Sequence, residues 1–334
     1  MVIMNLLRLA EEVGLEPFKT SSTNGGEYHS SCPGCGGKDR FILWPENGHY
    51  WCRQCNVKGD AIQFCRDFQG LSFRTACIKL QKQLSNDSPR FEKQPIILSL
   101  RTPSVLWEEK ALQFAECAHQ RLLIDDEAVE LLIERGLTME TIRQNKLGWN
   151  PVKIYKKLSE WGMEETDKRQ WLCFPKGIVI PILQNGNIKK IKIRKSEWKE
   201  GDLYGKYYEV PGSSTMLPSF GADSKEVVVI TEAEFDAMLV VQEAGEFCSC
   251  IALGGAQKRP DHLLQDWLLK KDLILFALDF DEAGKKAYIY WQKTFPNLEP
   301  WPVPEEKSPG DYHRSQGSIV EWIKAGIKNN LNKG

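Results

Sequence analysis

The chain has 334 residues, 42% of them hydrophobic and 27% charged, with 44 Lys and Arg against 45 Asp and Glu for a formal net charge of −1. That length suits two or three domains at about 100–200 residues each. The composition excludes a disordered chain and a uniformly basic, histone-like binder, yet it allows a local basic groove balanced by acids elsewhere. No apolar run approaches the ~20 residues of a membrane span, so no membrane partner is expected.

In chain order, residues 1–16 read as an amphipathic helix and not as a signal peptide, because acids follow the apolar residues closely and no small-residue cleavage site appears. Four of the ten cysteines then form two tight pairs, Cys32-Pro-Gly-Cys35 and Cys52-Arg-Gln-Cys55, with 16 residues between them. Without a secretion signal a disulfide framework is not expected, and two CxxC knuckles at this spacing suit one tetrahedral Zn²⁺ held by Cys32, Cys35, Cys52 and Cys55. Arg40–Trp44 and His49–Trp51 read as strands joined by a turn at Pro45–Gly48, which completes a zinc ribbon. His29 and His49 each stand three residues before a ligand cysteine and are alternative ligands, although four cysteines already fill the shell. Trp44 and Trp51 read equally as ribbon core or as stacking surfaces. Cys65 falls on the following helix and reads as buried.

Residues 1–84 form the first predicted domain and 85–104 a Ser-, Asn- and Pro-containing linker. Residues 105–222 form a second domain of helices around 107–123, 125–135 and 138–145, followed by short strands. Thr138 is placed as an N-cap and Gly136 as a helix stop. Asn185-Gly186 between two apolar runs predicts a hairpin. Lys189, Lys190, Lys192, Arg194, Lys195, Lys199 and Lys206 make this stretch locally basic. Strand alternation sets Lys190, Lys192 and Arg194 on one face, with Ile191 and Ile193 opposite. Such a run is either a solvated face or a polyanion site.

Residues 223–334 alternate strand and helix, which predicts a Rossmann-like parallel sheet whose functional groups stand at the strands' carboxyl ends. Two strands end in acids there: Glu232, Glu234 and Asp236 after the first, Asp279 and Asp281 after the third. Two like charges ~4 Å apart cost about 4 kcal/mol at an effective dielectric of ~20. A divalent cation relieves that cost, and oxygen-only ligands suit Mg²⁺ or Mn²⁺. Helix N-capping explains Asp236 or Glu282 well but three acids converging on one edge poorly, and Asp311 is either a further ligand or a cap. The fold class is therefore multidomain α+β and α/β: a zinc ribbon, a helical and mixed subdomain, then a parallel-sheet domain with a C-terminal helix.

These pieces in this order resemble the DnaG-type bacterial and phage DNA primases. The four-cysteine ribbon is similar to their zinc-binding domain in its all-cysteine form. Glu134–Ile142 followed by Leu147–Pro151 looks like the segment leading into the polymerase core, and Gly205-Lys206-Tyr207-Tyr208 resembles a family motif ahead of the catalytic subdomain. Glu232-Ala-Glu-Phe-Asp236 and Asp279-Phe-Asp281 resemble the Toprim signatures, with Ala233 where Gly is usual. The resemblance implies a nucleotidyltransferase that joins ribonucleoside triphosphates on a single-stranded DNA template, with a catalytic Mg²⁺ or Mn²⁺ at Glu232, Asp279 and Asp281 and with Asp236 and Asp311 as additions. It implies that Lys38, Arg40 and Trp51 of the ribbon, and Lys192, Arg194 and Lys206 of the basic stretch, meet template or nucleotide. A cytoplasmic replication enzyme of a phage, plasmid or mobile element is expected, with any replicative helicase a separate protein, since no GxxxxGK[ST] loop is present. A Toprim nuclease or topoisomerase-like enzyme, and a non-catalytic single-stranded DNA-binding regulator, are the rival readings.

Overall fold

The computed structural model describes residues 3–71, 73–84, 101–166, 169–199, 202, 205–255, 258–278 and 282–331. Asp279 and Asp281 therefore lie outside the described residues, as does most of the predicted linker.

The N-terminal part runs α1 (Ile3–Glu12), β1 (Phe18–Ser21), β2 (Glu27–Cys32), β3 (Gly36–Trp44), β4 (His49–Cys52), β5 (Lys58–Asp60), α2 (Ala61–Gln69) and α3 (Phe73–Leu84). The strands pair antiparallel in sequential order. Because side chains alternate, Phe41, Leu43 and Tyr50 turn to one face and pack with Leu6, Leu9, Phe64 and Phe68. The rings of Phe41, Tyr50, Phe64 and Phe68 form an edge-to-face and tilted cluster that fixes α2 on the sheet. Asp60 caps α2 by accepting from the Gln63 N–H at 2.8 Å, and Gly70, at φ 62°, ends the helix. Cys65 is fully buried within this core.

The middle of the chain contains α4 (Val105–Leu122), α5 (Asp126–Ile133), α6 (Met139–Gln144), β6 (Gly148–Asn150), β7 (Ile154–Lys157), β8 (Trp171–Phe174), β9 (Gly177–Gln184), β10 (Asn187–Lys195) and β11 (Tyr207–Glu209). Ser104, Asp125 and Thr138 cap the three helices through their side chains. One sheet has the order β11-β10-β9-β6 and a second pairs β7 with β8. Asn185 (φ 52°) and Gly186 (φ 79°) turn β9 into β10, the left-handed pair that a tight hairpin requires. Helix α4 lies on β6 so closely that a Cβ on Gly148 would come within 2.6 Å of Ala118. Trp107, Ala111, Ala115, Leu172, Phe174, Ile191 and Ile193 fill the core between them.

The remainder runs β12 (Ser219–Phe220), β13 (Val227–Thr231), α7 (Glu234–Ala244), β14 (Cys248–Ala252), α8 (His262–Leu268), β15 (Leu273–Phe276), α9 (Glu282–Thr294), β16 (Leu298–Pro300), α10 (Pro309–Arg314) and α11 (Ile319–Leu331). The sheet order is β12-β14-β13-β15-β16, parallel except for the edge strand β12. One face packs against α7 and α11 and the other against α8 and α9, so the central strands β13, β14 and β15 are mainly apolar, as a doubly covered sheet demands. The chain leaves β13 for β14 on one side and returns to β15 on the other. The carboxyl end of β13 is therefore a topological switch point, where open α/β sheets bind ligands.

The chain divides into two compact units. One comprises Met1–Ser99, Leu217–Tyr312 and Ser318–Gly334; the other comprises Leu100–Met216 and His313–Gly317. Within the first, Tyr290 of α9 packs against both the ribbon core and the core of the parallel sheet. The Arg259 guanidinium lies 3.7 Å from the centre of the Tyr290 ring.

Candidate functional site

The four knuckle cysteines converge. Their sulfurs all lie within 4.8 Å of one another, with Cys32 to Cys55 at 3.7 Å and Cys35 to Cys52 at 3.4 Å. A tetrahedral Zn²⁺ with Zn–S bonds of ~2.3 Å sets its sulfurs about 3.8 Å apart, so the quartet fits this ion. Gly36 (φ 70°) and Gly37 (φ 86°) form the turn beyond the first knuckle, and the Cys55 N–H points at the Cys52 sulfur at 3.5 Å. Burial pushes the Cys32 thiol well up, while hydrogen bonds from the other sulfurs, Cys32 first, pull Cys52 down. Four packed sulfurs cannot all ionise without a cation among them. Neither histidine joins the set. His29 donates to Glu27 at 2.6 Å, and exposed His49 is bonded to the Asn47 carbonyl.

The ribbon sheet's other face carries a row across its strands, Phe18, His29, Ile42, Trp51 and Lys58, each paired with the next. Trp51 and Trp44 are half-buried and stand outside the ring cluster; their indoles donate to Asn56 Oδ1 at 2.9 Å and Glu27 Oε2 at 2.8 Å. The donors His29 and Trp44 hold the Glu27 carboxyl below its ordinary value. Lys38 is exposed, and Arg40 folds back over Gly37.

At the switch point, Glu232 is exposed immediately beyond β13 and Asp236 lies in the first turn of α7. Asp236 Oδ1 accepts from the Gly310 N–H at 3.0 Å, which draws the start of α10 to that helix. Asp311, next in the chain, has Oδ2 3.0 Å from the Ser308 hydroxyl, which also caps the Asp311 N–H. Among the described residues, the cysteine quartet is the only group of three or more His, Cys, Asp or Glu side chains with ligating atoms within 4.8 Å of one another. Glu232, Asp236 and Asp311 thus occupy one end of the sheet without closing such a cluster by themselves.

The basic stretch differs from an open cationic face. Ile191 and Ile193 are buried on one side of β10, as alternation requires, but Lys190 is 0% and Lys192 4% exposed on the other. β10 is an inner strand, with β11 and β9 hydrogen-bonded to its two edges. Lys190 Nζ donates to Glu209 Oε2 at 3.2 Å, and Lys192 Nζ sits 5.0 Å from the Tyr207 ring centre. A register shift between Ile188 and Lys190 turns Lys189 to Glu108 on α4. Arg194 is half-buried; burial first, then the nearby Arg135 charge, hold its guanidinium below its ordinary value. Lys206 lies 5.6 Å from the Trp198 ring centre. The Arg135–Arg194 proximity is not legible in the sequence, because the turn after α5 and β10 are far apart along the chain.

Residues 27–62 match the family model described as the zinc-binding domain of primase-helicase. The chain is 27% identical over 290 residues to the DNA primase of Chlamydia trachomatis, covering 80% of this chain and 48% of that one. It is 26% identical to the DNA primase of Rickettsia felis, covering 79% and 47%. The chain thus spans about half the length of the curated relatives it matches. In fold, 66% of it overlays 78% of a DNA primase domain from Pseudomonas aeruginosa, with a TM-score of 0.51 and 20% identity. A DnaG primase catalytic domain solved bound to single-stranded DNA overlays 67% of the chain and 78% of its own length, with a TM-score of 0.51 and 18% identity. Through both its ribbon and its catalytic-core fold, the chain resembles the DnaG-type DNA primases.

Proposed function

We propose that the chain is a primase: a nucleotidyltransferase that synthesises short RNA primers on single-stranded DNA. The observation that carries this reading is the presence on one chain of a four-sulfur ribbon of the primase-helicase type and a primase catalytic-core fold with Glu232 at its switch point. In the proposed division of labour, residues 1–84 form the zinc-ribbon DNA-binding domain, 85–104 link, 105–222 form the N-terminal subdomain of the RNA polymerase core, and 223–334 form a Toprim catalytic subdomain with a C-terminal helix.

Glu232, Asp279 and Asp281 would hold Mg²⁺ or Mn²⁺. Hard carboxylate oxygens suit such ions, which offset triphosphate charge and help activate the attacking 3′-hydroxyl. Asp236 and Asp311 support the site from the side, joined through the Gly310 and Ser308 contacts. Arg194, Lys192 and Lys206, which lie beside aromatic Tyr207 and Trp198, are the proposed cations for template or triphosphate. Lys38, Arg40 and Trp51 on the ribbon supply cations and a stacking surface for template bases. Ribonucleoside triphosphates are the proposed substrates, a separate replicative helicase is a proposed partner, and a reducing cytoplasm is the compartment in which free thiols and bound zinc coexist.

The test combines purified protein, single-stranded DNA of mixed sequence, four ribonucleotides and Mg²⁺. Short RNA products that disappear with Glu232→Gln and with Asp279→Ala are expected. Cleaved template without RNA would overturn the reading in favour of a nuclease, and binding without either product would favour a regulator.

A further inference from the structure

The β7–β8 hairpin has two unlike faces. Its inner face holds Leu172 and Phe174, buried against α4 and the Trp161 turn; Phe174 lies 5.0 Å from Trp161 and 4.6 Å from Phe114, ring centre to ring centre. The outer face carries large aromatic side chains that remain half exposed. Tyr155 and Trp171 are each 53% exposed, and Val152, just before the hairpin, is 59% exposed. Tyr155 pairs with Cys173 and Lys157 with Trp171, so all four side chains share this face. Tyr155 and Trp171 are diagonal neighbours across the pair, about 7–8 Å apart in such a ladder.

Cations surround these rings. Lys153 Nζ lies 5.2 Å from the Tyr155 ring centre, Lys157 stands beside Trp171, and Arg169 is exposed just before β8. The nearby acids stand in the connecting loop, not on the strands, and Glu165 is already engaged by the Ser159 N–H and hydroxyl. An isolated exposed aromatic residue needs no explanation, but two on one strand face ringed by cations do. Core packing does not account for them, because Trp161 and Phe174 already supply the hairpin's buried aromatic surface.

We propose that this outer face, Lys153, Tyr155, Lys157, Arg169 and Trp171, is a stacking platform for single-stranded DNA. Two bases lie on Tyr155 and Trp171 while the lysines and Arg169 hold the flanking phosphates. Flat π-surfaces alternating with cations bind single strands with little sequence preference. The site deepens the priming reading by adding a grip on the template outside the ribbon and the basic β10 stretch, neither of which contributes a residue to it.

The probe is a fluorescein-labelled oligodeoxythymidylate with the full chain. Binding should quench tryptophan fluorescence, and the difference between the parent and Trp171→Phe isolates the signal of Trp171 from the other ten tryptophans. Tyr155→Ala/Trp171→Ala should weaken binding at least roughly fivefold with unchanged circular dichroism. As a check independent of folding, oligonucleotides carrying 5-iododeoxyuridine should crosslink to residues 152–174. Unchanged affinity in a folded double variant, an unchanged quench in Trp171→Phe, or crosslinks that all map elsewhere would overturn the proposal. Tighter binding of oligouridylate that is lost in the variants would overturn its assignment to DNA. A protein that makes no primers yet keeps the Trp171 quench would sink the priming reading and leave this site standing.

Discussion

The backbone N–H of Gly310 donates to Asp236 Oδ1 across 3.0 Å, joining the start of α10 to the first turn of α7. A Cβ at Gly310 would lie 2.8 Å from that same oxygen. Gly310→Ala should therefore displace the Asp236 carboxylate and α10 together. Misplacement by about 1 Å can cost ~100-fold in rate, so primer synthesis should fall roughly 10- to 100-fold. Thermal unfolding should show the same fold with a small loss of stability, which separates displacement from collapse.

The parent should contain about one Zn²⁺ per chain by elemental analysis, and Cys35→Ser should lower that content sharply. Metal binding and folding are linked in such ribbons. Chelation should therefore speed hydrogen exchange in residues 27–60 and leave β13–β15 protected. His29→Ala and His49→Ala should retain the metal, because both imidazoles are bonded elsewhere.

Buried Trp107 anchors α4, with its indole N–H donating to the Pro211 carbonyl at 2.8 Å. Trp107→Ala should destabilise the protein by about 3–5 kcal/mol, read by chemical denaturation. Gly212→Ala should also destabilise it: φ there is +89°, and the added Cβ would meet the Trp107 ring at 2.4 Å.

Lys190 is fully buried against Glu209. Removing one partner from a buried ion pair costs about 3 kcal/mol or more. Glu209→Gln should thus lower the denaturation midpoint, and Lys190→Met should restore part of the loss when combined with it. A Lys190 that acted only as an exposed phosphate contact would show neither effect.

Thiol chemistry supplies a pH prediction. Burial pushes the Cys248 thiol up to about 12 and that of Cys65 to about 11, from ordinary values near 9. In the unfolded chain these thiols ionise first. Their contribution to stability is therefore fully present below about pH 9 and is lost as pH rises from there through 11 to 12. At neutral pH an alkylating reagent should modify exposed Cys117 readily, and Cys65, Cys248 and Cys250 only on unfolding, as read by mass spectrometry.

Local sequence determined much of this protein. The CxxC spacing specified the sulfur quartet, Asn185-Gly186 the β9–β10 hairpin, Thr138 a helix start, and the apolar runs at 227–230 and 273–278 a doubly covered parallel sheet. These features depend on turn geometry and side-chain periodicity over a few residues, and both are readable from neighbours in the chain. Other features required the tertiary structure. Strand alternation correctly separated Lys190 and Lys192 from Ile191 and Ile193, but it could not reveal that both lysines are buried, because solvation depends on what covers an inner strand. The Asp236–Gly310 contact spans 74 residues, and the outer face of β7–β8 exists only because Trp161 and Phe174 occupy the inner one. Sequence spacing says which side chains share a face; only packing decides which face meets water.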